Sequence, residues 1–236
     1  LASSLTYAWL FALGAGIIAT AFIIIIFCLK ESFRGSTEKV ALSSIFSAGK
    51  DRNLLAFTGL CLLLFLVTGQ LASTLPVYTV SHAGLSTAQY GTLLTLNGLM
   101  ITVLQYPVTR LMAHLSISVS LITGAFLYAV GYFTLSWVGP YSLALGAVAL
   151  ITTGEIFCTP TIMTVVGRLA SQNWRGRYMA FFGMAETLGM TMGPLLGGLL
   201  LDIFPENPVY VWGMIALLAV LAAVGFGRFS ARLKSA

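Results

Sequence analysis

The chain has 236 residues, of which 58% are apolar and only 8% charged, with a formal net charge of +5 and a mean hydropathy of +0.95. A soluble domain carries roughly 25% charged residues, so this composition cannot furnish a water-facing surface and points to a polytopic membrane protein. The positive charge does not indicate nucleic acid, because the basic residues are scattered through short loops instead of lining one patch.

In chain order, the apolar runs predict seven spanning helices of about 20 to 27 residues, each able to cross a hydrocarbon core of roughly 30 Å. They lie near Tyr7–Leu29, Leu54–Tyr78, Ala88–Met112, Ile117–Trp137, Ser142–Leu169, Tyr178–Asp202 and Val209–Gly227. The one long polar connection, Lys30–Asn53, mixes both charge signs with Ser and Gly and is expected to form a partly helical linker. Alternate loops differ in charge. Lys30, Arg34, Lys39, Lys50, Arg52, Arg110, Arg168, Arg175, Arg177, Arg228, Arg232 and Lys234 all fall on one side, while the loop after the sixth span holds Asp202 and Glu206. Positive-inside bias makes the basic side cytoplasmic, with the N-terminus outside and the C-terminus inside. The chain opens at Leu1, and no basic stretch precedes its first apolar run. It is therefore expected to be part of a longer protein. The division is 1–29 as the last helix of a preceding bundle, 30–53 as linker and 54–236 as a six-helix bundle.

Ionisable residues deep in a span are costly and are functional hypotheses by default. Two occur: Glu155, near the middle of the fifth span, and Glu186, in the sixth. Low dielectric disfavours a bare carboxylate, so such a residue can exchange a proton near neutral pH or pair with a cationic ligand. Thr152 and Thr159 lie three residues before and four after Glu155, on the same helix face. Pro160 lacks an amide hydrogen and frees the carbonyl of Ile156, so the helix is expected to bend or loosen there. Gln70, Asn97 and Gln105 are further polar groups within spans. Gln70 and Asn97 are candidate ligand contacts, with helix–helix hydrogen bonding as the plainer reading. Gly189, Gly193 and Gly197 repeat at four-residue spacing, a ridge that lets another helix approach closely, and Pro194 interrupts it. The "GAGIIA" at Gly14 lies inside a span with no preceding strand and is discarded as a dinucleotide fingerprint. Cys28, Cys61 and Cys158 form no C-x-x-C pair, so neither metal nor disulfide is expected. No cofactor is implied, and no phosphate-binding loop is visible, which leaves an ion gradient as the energy source if the chain transports.

The stretch "TTGEIFCTPTIMTVVGRLASQNWRGRYMAFFGMAETLGMTMGPLLGG" carries Gly154-Glu155, then Thr159-Pro160, an Arg175-Gly-Arg-Tyr loop and Gly193-Pro-x-x-Gly-Gly. It resembles the multidrug branch of drug:proton antiporters in the major facilitator superfamily. The whole chain resembles helix six, the central loop and helices seven to twelve of such carriers. The resemblance implies an all-α transmembrane bundle that alternates between inward-open and outward-open states by rocking two halves around a central cavity. It implies partners in the lipid bilayer, protons, a small-molecule substrate and an N-terminal six-helix half. It also implies a role in proton coupling or cation binding for Glu155; for Glu186 the support is burial alone. A cell membrane of bacterial inner-membrane type is the expected location. One departure concerns the loop after the third span, which retains Arg110 but lacks the Asp and most basic partners of the family pattern. The expected activity is proton-driven export of amphipathic or cationic compounds. A carrier of sugar, peptide, nucleoside or lipid is the alternative. A heptahelical receptor is remote, since the last span has no Lys for retinal and no N-P-x-x-Y ending. An enzyme is not expected, because the spans hold no clustered nucleophile, base or metal ligands.

Overall fold

A computed structural model describes residues 7–29 and 42–235. The chain divides into two units, Leu1–Lys39 and Val40–Ala236. The first contributes helix α1, Tyr7–Cys28, which is apolar on every face. Most of the expected linker, residues 30–41, lies outside the described residues.

The second unit is a bundle of α2 (Leu42–Ala48), α3 (Arg52–Thr68), α4 (Thr74–Ser81), α5 (Thr87–Met112), α6 (Ile117–Thr134), α7 (Tyr141–Leu169), α8 (Arg175–Ile203) and α9 (Pro208–Ser235). No strand occurs among the described residues. Helix starts are set by side chains that satisfy otherwise unpaired amides. The Asp51 carboxylate accepts from Asn53 N at 2.8 Å and opens α3. Its other oxygen accepts from the Tyr178 hydroxyl at 2.8 Å, which ties the start of α3 to α8. Ser86 and Gln89 form a reciprocal capping box on α5, and Ser116 caps α6.

Helix α6 packs against α7 and α9, α3 against α8 and α9, and α5 against α7. One close point of the α6–α7 contact is at Gly124 and Gly154, of which the sequence marks only Gly154, and that for its motif. A Cβ on Gly154 would lie 2.7 Å from Gly124 O, and one on Gly124 would lie 2.5 Å from Cys158 Sγ. Only bare backbone permits that approach. Toward the opposite end from the Asp51 cap, Trp212 of α9 stacks on Tyr132 of α6 at 6.0 Å and meets Tyr78 of α4 edge-on at 5.1 Å.

Among the described residues, five helical stretches are long and apolar enough to cross a membrane: Phe11–Cys28, Ile117–Trp137, Tyr141–Leu169, Gln172–Ile203 and Pro208–Ala231. Helix α5 has the length, but Thr92, Thr95, Asn97, Thr102 and Gln105 dilute its apolar character. The expected single span Leu54–Tyr78 is corrected: it is two helices, with a break at residues 69–73. The reason is local. Gly69 ends α3, the Ser73 hydroxyl donates to Gly69 O at 2.6 Å, and Pro76 lacks the amide that would have carried the ladder across the gap. Gly69, Gln70, Ser73 and Thr74 lower the hydropathy at the break, but the segment as a whole stays apolar enough to pass as one span.

Candidate functional site

Glu155 projects from the middle of α7 and is half-buried. Asn97 of α5 faces it. The Asn97 amide nitrogen donates to Glu155 Oε2 at 3.1 Å and to Thr152 Oγ1 at 3.0 Å. The direction of these bonds follows from hydrogen accounting. Thr152 spends its own hydrogen on Val148 O at 2.8 Å, so its oxygen can only accept from Asn97. The amide must therefore present NH₂ to Thr152, and its second hydrogen goes to the carboxylate. Both hydrogens of Asn97 are used, and one oxygen of Glu155 is fixed.

The structure brings Glu186 of α8 to the same place. Glu155 and Glu186 both line a cavity of about 150 Å³ walled by Thr68 of α3, Tyr128 of α6, Thr159 of α7 and Met190 of α8. Among the described residues, no Lys, Arg or His lines it. At about 30 Å³ per water the cavity holds a few waters, and it lies below the roughly 300 Å³ of a pocket for a drug-sized ligand. Two carboxylates share one largely apolar cavity with no cation among its described lining residues, a setting that suits a proton or a cationic ligand.

The other expected site residues divide by position. Thr152 belongs to the Asn97 network and Thr159 to the cavity wall. Gln70 is fully buried, and its polar atoms are turned to helix contacts away from the two glutamates. Its amide donates to Leu66 O at 2.7 Å and to Gly193 O at 2.8 Å, and its carbonyl oxygen accepts from Thr74. Gly193 and Gly197 are buried beneath this clamp, and a Cβ on Gly193 would lie 2.8 Å from Leu66 O. Gly189 sits against Phe65, where a Cβ on the glycine would lie 2.5 Å from Phe65 Cβ, and Pro194 Cδ lies against Gly69. The glycine ridge of α8 is thus the seat for α3 and for the break that follows it. Helix α7 runs through Pro160 without interruption, and Arg110 is exposed in the last turn of α5. Thr68 and Tyr128 were not singled out in the sequence; a Thr-Gly step at the end of an apolar run is a weak signal for the first, and nothing local marks the second.

Comparison with known proteins gives these elements a context. The family model for the Major Facilitator Superfamily matches residues 1–194. YttB, an uncharacterized MFS-type transporter of Bacillus subtilis (strain 168), is 26% identical over 240 residues, covering 99% of this chain and 59% of its own length. The MFS-type transporter MJ1560 of Methanocaldococcus jannaschii is 32% identical over 124 residues, covering 51% of this chain and 31% of its own. The chain therefore spans between about a third and three-fifths of the curated relatives it matches. Among solved structures, a POT family transporter, crystallised with a thioalcohol-conjugated peptide, shares the fold with a TM-score of 0.62 at 13% identity, over 96% of this chain and 54% of that one. With most of its length matched by the family model and its helices following the same fold, this chain belongs to the Major Facilitator Superfamily.

Proposed function

We propose that the chain is the C-terminal part of a proton-coupled secondary transporter that exports amphipathic or cationic compounds, with Glu155 as the coupling group and Glu186 as its neighbour. The observation that carries this is the water-sized cavity holding both carboxylates and no basic residue. Such a chamber suits a group that alternates between proton and cation. In this reading Glu155 is protonated from the outer face and deprotonated toward the inner one, and cargo competes for the carboxylate in between. The basic end of the bundle, with Arg110, Arg168, Arg175 and Arg177, faces the cytoplasm under positive-inside bias.

The test is flux in proteoliposomes of the full-length transporter under an imposed pH gradient. Glu155→Gln keeps the size of the side chain and an oxygen that still accepts from Asn97, and removes only the titration. Gradient-driven movement of a cationic dye is expected to stop, while insertion and folding persist. Uphill pumping by this variant would refute the assignment. A carrier of another solute fits the same geometry; comparing cationic dyes with neutral sugars and peptides in the same vesicles separates the two.

A further inference from the structure

A second pair of cavities lies at the basic end, away from the glutamates. The larger, about 500 Å³, is walled by Phe57 of α3, Leu121 of α6, Val165 of α7, and Phe226 and Phe229 of α9. Phe57 packs on both other rings, at 5.8 and 5.4 Å. The smaller, about 220 Å³, is walled by hydroxyls from α5, α6 and α7. Arg168, at the last turn of α7, lines both. The larger chamber adds Ser116, Ser118 and Ser230 beside its rings, the smaller mixes hydroxyls with apolar side chains, and the Arg168 guanidinium is common to both.

Hydrogen accounting gives the sign of what fits. Arg168 is exposed and makes no ion pair among the described residues, and neither cavity is lined by Asp or Glu. Thr161 and Thr164 have spent their hydrogens on the carbonyls of Phe157 and Pro160, each at 2.8 Å. Thr109 Oγ1 is buried with no partner, so its hydrogen is uncommitted. Ser116 accepts from Val119 N at 3.3 Å and keeps its own hydrogen. Ser118 and Ser230 bond to each other, which leaves one hydrogen between them. The walls thus offer several donors and one full positive charge, with no anion among the described residues to answer them.

We infer that these joined cavities bind an anionic phospholipid, its phosphate on Arg168 among the free hydroxyls and the upper part of one acyl chain against the Phe57, Phe226 and Phe229 rings. The larger volume is within the range of small-molecule sites, which combine apolar walls with a few placed polar groups. Basic pockets between transmembrane helices suit lipid headgroups. A bilayer supplies such ligands at the helix ends at high local concentration.

The test is native mass spectrometry and thermal melting of the full-length transporter with phosphatidylglycerol, with phosphatidylcholine of the same chains, and with inorganic phosphate alone. The wild type is expected to retain phosphatidylglycerol and to melt higher with it than with phosphatidylcholine. Arg168→Gln is expected to lower that retention about tenfold, the order of one charged hydrogen bond. Arg175→Gln, which removes an equal charge from the same end outside the cavities, is expected to leave it unchanged. Ser230→Leu, which keeps the charge and fills the larger chamber, should also lower retention and serves if Arg168→Gln fails to insert. Equal retention of the two lipids, or an equal effect of Arg168→Gln and Arg175→Gln, would overturn the site in favour of general surface attraction. Equal protection by inorganic phosphate, or full retention in Ser230→Leu, would overturn the acyl contact.

Discussion

Alanine at position 197 is the most exacting probe of how this bundle is assembled. A Cβ there would fall 2.8 Å from Thr74 Cβ and would overlap Thr74 Oγ1 and Gln70 Oε1 outright. Side-chain movement cannot relieve this cheaply. Thr74 is short and buried, and Gln70 is pinned by bonds to Leu66 O and Gly193 O at 2.7 and 2.8 Å. Overpacking of this kind costs about 1–3 kcal/mol. Displacing Gln70 leaves a buried amide short of partners, at about 1–3 kcal/mol more. Alanine's better helix propensity returns about 1 kcal/mol. The net expectation is a loss of about 2–3 kcal/mol, read as a lowered unfolding midpoint of the full-length transporter in mixed micelles. Thr74→Ala removes the hydroxyl and so part of the overlap. The double variant should therefore be less damaged than the two single losses added together, by about 1 kcal/mol. If Gly197→Ala melts with the wild type, or if the two losses simply add, α4 is not seated on α8 as described.

Two further outcomes follow from the glutamate cavity. Glu186→Gln is expected to change the pH dependence of transport or the range of cations carried, since it leaves a single carboxylate in the chamber; an unaltered profile across pH in proteoliposome flux would return Glu186 to a packing role. Asn97→Ala removes the only amide bond to Glu155 among the described residues while leaving the Thr152 bond to Val148 in place, and is expected to lower coupled flux about tenfold, the order of a hydrogen bond to a charged group. Coupled flux equal to wild type would show that Glu155 needs no such orientation.

Much of the bundle was legible because lipid imposes a simple code: long apolar runs, charges at their ends. The fifth span was expected at Ser142–Leu169 and is Tyr141–Leu169; the fourth was expected at Ile117–Trp137 and is α6 plus a short 3₁₀ turn ending at Trp137. The shared face of Thr152, Glu155 and Thr159 could be read because spacing within one helix fixes it. What could not be read depends on pairs of helices. Whether Glu186 meets Glu155 is set by the rotation of α8 about its axis, and that rotation is set by which residues lie under its glycines. The Gly124–Gly154 contact and the link from Asn97 are likewise properties of two surfaces, and one sequence without its packing does not state them. The break at residues 69–73 was missed for a different reason: Gly69, Gln70, Ser73 and Pro76 mark it locally, but they are averaged away over a segment that is apolar as a whole.

That break has a mechanical consequence. Helix α4, with 8 residues, is a rod about 12 Å long at 1.5 Å per residue, joined to α3 by five residues that carry only part of the helical ladder. A lever of that length tilted by about 13° moves its far end, where Tyr78 packs on Trp212, by about 2.8 Å, one water diameter. A seal made by α4 could thus be opened to single-file water by a pivot at its root, with the longer crossing beneath it standing still.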